Sequence, residues 1–323
     1  MTPKSLMNDL LRTLAWPLQS LASTLTRRLP GDRIWVRRVV DALLLPVDII
    51  QITLMHAQAR GRPPALLRPR TYEDWMQRNK LFNRQPRHIR MADKITARDH
   101  VAERLGPDHA VPLLWTGQDI DDAPFNSLPS KFVIKANHGS GQFLVVRDKA
   151  TLDRAELRKI TADWLALDYS RKFAEWQYRW IRPSLLIERF VEPRDPERPA
   201  EYFFWCVWGR CVFVGVNTGT KTDRWERQYF DRDFTPIEVE SSRSRPSELP
   251  VISPNYAWML DAAERLAADE HLMRVDFFDA DPPVVGELTL SPGAGWKRFE
   301  PDSWNDRLGA LIARGRSSGY AVQ

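Results

Sequence analysis

Cysteine is nearly absent: 323 residues contain only Cys206 and Cys211, both inside one apolar run. Neither a disulfide framework nor a structural zinc site can be built from that pair, and a reducing, cytoplasmic setting fits it best. Lysine is also scarce, ten against 37 arginines, which makes each lysine in an unusual place informative. No G-x-x-x-x-G-K-[ST] loop and no G-x-G-x-x-G fingerprint occurs, which excludes a P-loop and a standard dinucleotide fold. The apolar run DALLLPVDIIQITLM (41–55) is interrupted by Asp41, Pro46 and Asp48 and is too short to span a bilayer. No secretory signal is expected, because Asp9 and Arg12 break the first apolar stretch. No internal repeat and no low-complexity tract stands out. No serine, cysteine or histidine nucleophile is suggested.

What is present suits a soluble globular chain of two domains, or one large domain with an extension: 43% hydrophobic and 28% charged residues, with 13 tryptophans, several of them suited to pockets or interfaces. The net charge of +5 is concentrated at one end. Residues 1–70 hold eleven Lys/Arg against four Asp/Glu, so the remainder is close to neutral. Leu10, Leu14, Leu18, Leu21 and Leu25 form a helical stripe, which Pro17 kinks, and Arg27, Arg28, Arg33, Arg37 and Arg38 follow. This basic extension is read first as a helical arm packed on its own domain or on a second subunit. The alternative is peripheral contact of residues 1–60 with the inner membrane surface. Nucleic acid is not an expected partner, because no stacking aromatics are interleaved with the basic residues.

After a Pro/Arg-rich linker (60–70), residues 71–130 form a largely helical lead-in containing the pair Asp93-Lys94. The catalytic domain is expected over 131–310, with a tail at 311–323. Within it, SKFVIKA (130–136) and QFLVV (142–146) read as a hairpin around HGSG (138–141), followed by a helix capped by Thr151. SLLIERFVEP (184–193) is a strand, and YFFWCVWGRCVFVGV (202–216) is two strands around Gly209-Arg210. Ser253 and Pro254 open a helix through about Asp269, and RVDFFDADPPVVGELTL (274–290) is a strand, a turn at Asp281-Pro282, and a strand.

Two constellations carry chemistry. If the last hairpin turns at Asp281-Pro282, Asp276 lies directly opposite Glu287. Like charges so placed destabilise a sheet, and a hard divalent cation is one remedy. The other is an ion pair to Arg274, two residues away on the same strand face. Upstream, Lys135 interrupts an apolar strand just before Gly139-Ser140-Gly141. A buried lysine needs an anion, and a glycine turn lets backbone amides approach one. Lysine and glycine turn together suit phosphate. Glu188 and Arg189 interrupt the next apolar strand, whose edge can read an adenine ring or can simply alternate on an exposed face.

The order of these parts, with MADKITARDHVAERLG, LPSKFVIKANHGSG, MRVDFF and GELTLSPGAGW, resembles the ATP-grasp superfamily. More narrowly, it is similar to the TupA-like ATP-grasp proteins of teichuronopeptide and surface-polysaccharide gene clusters. The likeness covers about residues 71–310. It implies an α+β fold in which two subdomains clamp ATP, preceded here by the helical extension. It further implies that Lys94 and Lys135 contact the nucleotide phosphates and that His138, Gly139, Ser140 and Gly141 fold over them. The Glu188 carbonyl and Val191 amide, flanking Arg189, would read the adenine edge, and Glu201 would hold the ribose. Asp276 and Glu287 would ligate Mg2+, with Thr289 standing where the family carries asparagine. Phe203 stands where relatives often carry lysine, so that phosphate contact is either missing or supplied by Lys221 or Arg224 of the polar loop TGTKTDRWER (218–227), which reads equally as a substrate lid or as a solvated charged excursion. Arg274 or Lys297 is expected to hold a substrate carboxylate. The activity so implied is a carboxylate–amine ligase, working through an acyl phosphate on a small-molecule or glycan carboxylate and an amine acceptor. The alternatives are a kinase acting on a sugar hydroxyl and a non-catalytic nucleotide binder. Substrate identity and oligomeric state are left open.

Overall fold

The computed structural model describes residues 34–219, 225–239, 246 and 248–315. It begins with α1 (Ile34–Arg60), then three shorter helices, α2 (Tyr72–Phe82), α3 (Pro86–Ala92) and α4 (Ala97–Leu105). The expected helical stretch at 71–106 is thus three helices. The first is fixed by a capping box, in which Thr71 accepts from the Asp74 amide and Asp74 returns the bond. The leucine stripe at 10–25 lies outside the described residues.

Two antiparallel sheets follow. The first has the order β1-β4-β2-β3, with β1 (Leu113–Gly117), β2 (Phe132–Ala136), β3 (Phe143–Val146) and β4 (Leu185–Arg189). The second has the order β7-β6-β5-β8-β9, with β5 (Ala200–Val207), β6 (Arg210–Thr218), β7 (Glu226–Phe230), β8 (Leu272–Phe278) and β9 (Val284–Thr289). Helix α5 (Arg154–Ala166) covers one face of the first sheet, and the one-turn α6 (Ser170–Phe173) follows it. Phe132, Ile134, Leu185 and Ile187 point into that core with Leu157. The period of two then turns Val133, Lys135 and Glu188 to the opposite face, which borders a cavity between the sheets.

The second sheet is covered on both faces, which explains why YFFWCV is continuously apolar and not alternating. Tyr202, Phe204 and Cys206 meet α7 (Tyr256–Leu266). Trp205 and Phe213 meet α2 and α8 (Ser303–Arg314), with Phe299 between. Several boundaries differ from expectation for local reasons. The β5–β6 turn is Trp208-Gly209, both at positive φ, one residue earlier than Gly209-Arg210. Helix α5 is capped by Asp153, which accepts from two amides, because Thr151 ends a short 3-10 turn. Ser253 sits before α7 and bonds Asp279, while the helix starts at Tyr256 and stops at Leu266. Strands β1 and β7 were not anticipated. β1 is half exposed and β7 mixes charged with aromatic residues, so neither carries a clean period.

The last part of the basic extension packs on the body. Asp48 on α1 is fully buried, and its carboxylate takes Arg84 at 2.6 Å and Arg179 at 2.9 Å. Asp41 accepts from Arg179 at 3.3 Å and from the Trp180 indole at 3.0 Å. Removing one partner of a buried pair strands the other charges. Asp48→Ala is therefore expected to lower stability by about 3–5 kcal/mol in urea unfolding. An unchanged midpoint would show that α1 is not held by this cluster.

Candidate active site

The cavity between the sheets measures about 800 Å³. Its floor is β8–β9. Asp276 pairs directly with Glu287, as the turn geometry predicts, and Arg274 pairs with Thr289. The ladder then slips by one, so that Phe277 faces Val285 and Phe278 faces Val284, leaving Gly286 as the extra residue. Val275 and Phe277 pack into the core beneath, and Arg274, Asp276 and Phe278 reach the cavity wall.

Arg274 is the counter-ion of this floor. Its Nε and Nη2 each lie 2.6 Å from an Asp276 oxygen, and Nη2 also donates to Thr289 Oγ1 at 3.2 Å and stands 3.7 Å from Glu287. The arginine remedy is thus the one seen. Arg274 directs its fork at Asp276, which corrects the expectation that it holds a substrate carboxylate. Burial pushes the Asp276 carboxyl up to about 6, with Arg274 pulling the other way and Glu287 and Glu201 adding repulsion. The oxygens of Asp276, Glu287 and Thr289 are a hard donor set that fits magnesium, provided phosphate oxygens or water complete the shell. Among the described residues no group of three His, Cys, Asp or Glu side chains is placed to hold a metal alone.

The opposite wall carries the lysines. Lys135 Nζ lies 2.5 Å from Glu188 Oε2, and Arg98 reaches Glu188 Oε1 at 2.8 Å. The strand lysine therefore has a protein partner, contrary to the expectation that only a ligand would satisfy it, yet both residues line the cavity. Glu188 does more than the sequence suggested: its side chain ties β2, β4 and α4 together. Lys94 donates to the Gly139 carbonyl and stands 3.8 Å from Glu287. Burial and the neighbouring Lys135 depress Lys94, and Glu287 opposes them.

The glycine turn divides. Ser140 and Gly141 line the cavity, Gly141 at φ 86° with open space where a Cβ would stand. Gly139 is behind them, against Gln142 and the Tyr169 ring. His138 is buried, with one ring nitrogen at the Leu167 carbonyl and the other at Asn137, so it supports the turn and does not face the cavity. Arg189, Val191 and Glu201 do line it, and with Val111, Val133 and Phe278 they form a largely apolar end.

Lys221 and Arg224 lie outside the described residues. The same loop nevertheless contributes Trp225 and Arg227 to the cavity. Arg227 stacks over Phe203 at 5.0 Å, bonds Asn217 Oδ1 at 2.6 Å and approaches the Tyr229 hydroxyl at 3.5 Å. It brings a cation to the wall where Phe203 replaces lysine. The sequence does not mark it, because the start of β7 is polar and reads as loop. Lys297 is not on this wall. Its Nζ donates to the Tyr229 hydroxyl at 2.6 Å among the rings of Trp205, Tyr229 and Phe299, and burial lowers it to about 8. A second residue the sequence did not flag is Glu175. It is buried, raised by desolvation, and coupled electrostatically to Lys80, Glu287 and Lys94.

Two antiparallel sheets around a cleft with lysines on one wall and paired acids on the other define the ATP-grasp fold, an α+β architecture. The chain belongs to the TupA-like ATP-grasp family, whose model matches residues 74–313. No curated protein matches it. Among solved structures it is similar to the ATP-grasp ligase PsnB with a minimal precursor, at 11% identity and TM-score 0.38, covering 71% of this chain and 62% of that one. It is also similar to an ADP complex of purK, N5-carboxyaminoimidazole ribonucleotide synthetase, at 13% identity and TM-score 0.39, covering 62% and 45%. The D-alanine–D-alanine ligase of Bacillus anthracis with ATP gives 14% identity and TM-score 0.38, covering 69% and 65%. The chain thus spans less than two thirds of the length of each of these three structures.

The Glu188 cluster separates binding from stability. Lys135→Met leaves Glu188 its bond to Arg98, so the fold should persist while nucleotide binding loses about 1.5–3 kcal/mol. Glu188→Leu strands two cations and should cost about 3–5 kcal/mol of stability. Calorimetric titration and urea melts of both variants check this, and equal melting losses would contradict the assignment.

Proposed function

We propose that the protein uses ATP and Mg2+ to join a carboxylate to an amine through an acyl phosphate. The observation that carries the reading is the Asp276–Glu287 pair facing Lys94 and Lys135 across one cavity. Adenine would lie at the apolar end beside Val191, whose amide would read its edge; Glu188 is paired with Leu113 and Val133 inside the sheet, which corrects the expectation that its carbonyl sits at a free strand edge. Glu201 would hold the ribose, and Ser140 and Gly141 would cover the phosphates. Asp276 and Glu287, assisted by Thr289, would hold the metal, which supplies charge neutralisation at the phosphates. Lys94, Lys135 and Arg227 would stabilise negative charge moving onto the leaving ADP.

In this chemistry a substrate carboxylate oxygen attacks the terminal phosphorus and the bond to ADP breaks. The amine then attacks the acyl carbon, loses a proton and expels phosphate. Arg227 is the cation we assign to orient the acidic substrate, in place of Arg274 and Lys297. A role in surface-polysaccharide assembly, on a sugar acid or glycan precursor, is part of the same proposal.

One observation favours a second reading. Glu175 supplies the spare acid that a kinase would need to accept a hydroxyl proton, and burial pushes it up to about 7. It does not line the cavity, so the ligase is preferred. Phosphate release on mixing ATP with candidate acids and amines distinguishes the two. Release that needs both substrates supports ligation, and ADP formation with phosphate retained on a sugar hydroxyl would overturn it.

The pH dependence has a defined sign. Asp276 must be ionised to take magnesium, so nucleotide binding at limiting Mg2+ should weaken as pH falls through about 6. The free protein responds oppositely. The carboxyl is raised from 3.8 on folding, so taking up its proton between about 6 and 3.8 stabilises the fold. Arg274→Gln removes the group that pulls the value down, and the acidic limb should move to higher pH. An unmoved limb would show that another group controls it.

A further inference from the structure

Helix α1 is built inside out. Its two acids, Asp41 and Asp48, face the protein and are neutralised there by Arg84 and Arg179. Its outward face carries Trp35, Val39, Leu43, Pro46 and Ile50, spaced to form one stripe on a 3.6-residue helix. Trp35 is 64% and Leu43 72% exposed, values expected of surface lysines and not of side chains this apolar. No acidic residue lies on that face, and Arg38, three residues after Trp35, flanks it.

The helix is longer than the apolar run 41–55 suggested, which corrects the expectation that this segment is too short: by length and composition α1 (Ile34–Arg60) is apolar enough to cross a bilayer. The inward ion pairs exclude that, because spanning would pull Asp41 and Asp48 from their arginines into hydrocarbon. What remains possible is contact through the outward face alone. We propose that this face seats the protein on an anionic bilayer surface, with the stripe at the acyl boundary and Arg38 among the lipid headgroups. Two features select that occupant. Trp35 beside Arg38 suits the interface, where the ring is half immersed and the charge stays wet. The chain preceding α1 adds charge of the same sign: residues 1–33 carry Lys4, Arg12, Arg27, Arg28 and Arg33 against Asp9 and Asp32. The packed and membrane-facing readings of the extension are thus two faces of one helix.

The inference does not depend on the nucleotide site, and its test is separate. The full chain is sedimented with phosphatidylcholine vesicles, with and without phosphatidylglycerol. Binding to the anionic vesicles is expected, and the double variant Val39→Glu/Leu43→Glu should lower it by roughly tenfold or more with unchanged melting. Arg38→Gln should reduce the preference for phosphatidylglycerol. Sedimentation velocity without lipid reports the other occupants. Equal vesicle binding by the glutamate variant overturns the proposal. So does a wild-type dimer that ignores vesicles and dissociates in the glutamate variant, because a second copy would then cover the face.

Discussion

Two carboxylates on neighbouring strands repel each other, and the β8–β9 hairpin tolerates this only because a third charge is present. Arg274 supplies it, gripping Asp276 with both edges of its fork and reaching Thr289. The arrangement leaves Glu287 partly exposed to the cavity, between Arg274 and Lys94 at 3.7 and 3.8 Å. A floor held in this way is poised for exchange. A divalent cation arriving with phosphate oxygens would replace part of the work Arg274 does alone. Much of the architecture keeps the floor in place. The second sheet is buried on both faces, so Asp276 is carried by strands with little freedom to shift.

The facing wall follows the same logic with opposite sign. Lys135 and Arg98 share Glu188, and the cluster is balanced enough to fold without ligand. Nucleotide phosphates would then compete with Glu188 for Lys135 in place of filling an unmet need. Such competition would moderate nucleotide affinity and ease release.

Much of this was legible in the sequence where pattern and chemistry coincide. The Asp276–Glu287 facing was countable from the turn, although next to the turn the register is one residue out and the bulge at Gly286 restores it; the lysine on the cavity face of β2 followed from the period of two. The family was legible from the order of motifs. Other features were hidden because they depend on tertiary neighbours. Nothing local marks Glu188 as the partner of Lys135, since they meet across adjacent strands with 52 residues between them in the chain. Arg227 was concealed in a polar stretch whose end pairs as β7. Lys297 looked available beside a glycine turn and proved to be enclosed by aromatic rings. His138 shared the glycine motif but faces the wrong way. The inverted polarity of α1 could not be seen without Arg84 and Arg179, which decide which face is inside.

The account stands or falls on whether the floor is a metal–nucleotide site. The most direct measurement is calorimetric binding of a non-hydrolysable ATP analogue, with and without Mg2+, to the native protein and to Glu287→Gln. This substitution leaves the Arg274–Asp276 pair in place. The account predicts that magnesium strengthens binding to the native protein and that Glu287→Gln keeps its fold but loses that enhancement. Equal enhancement in both proteins would contradict it.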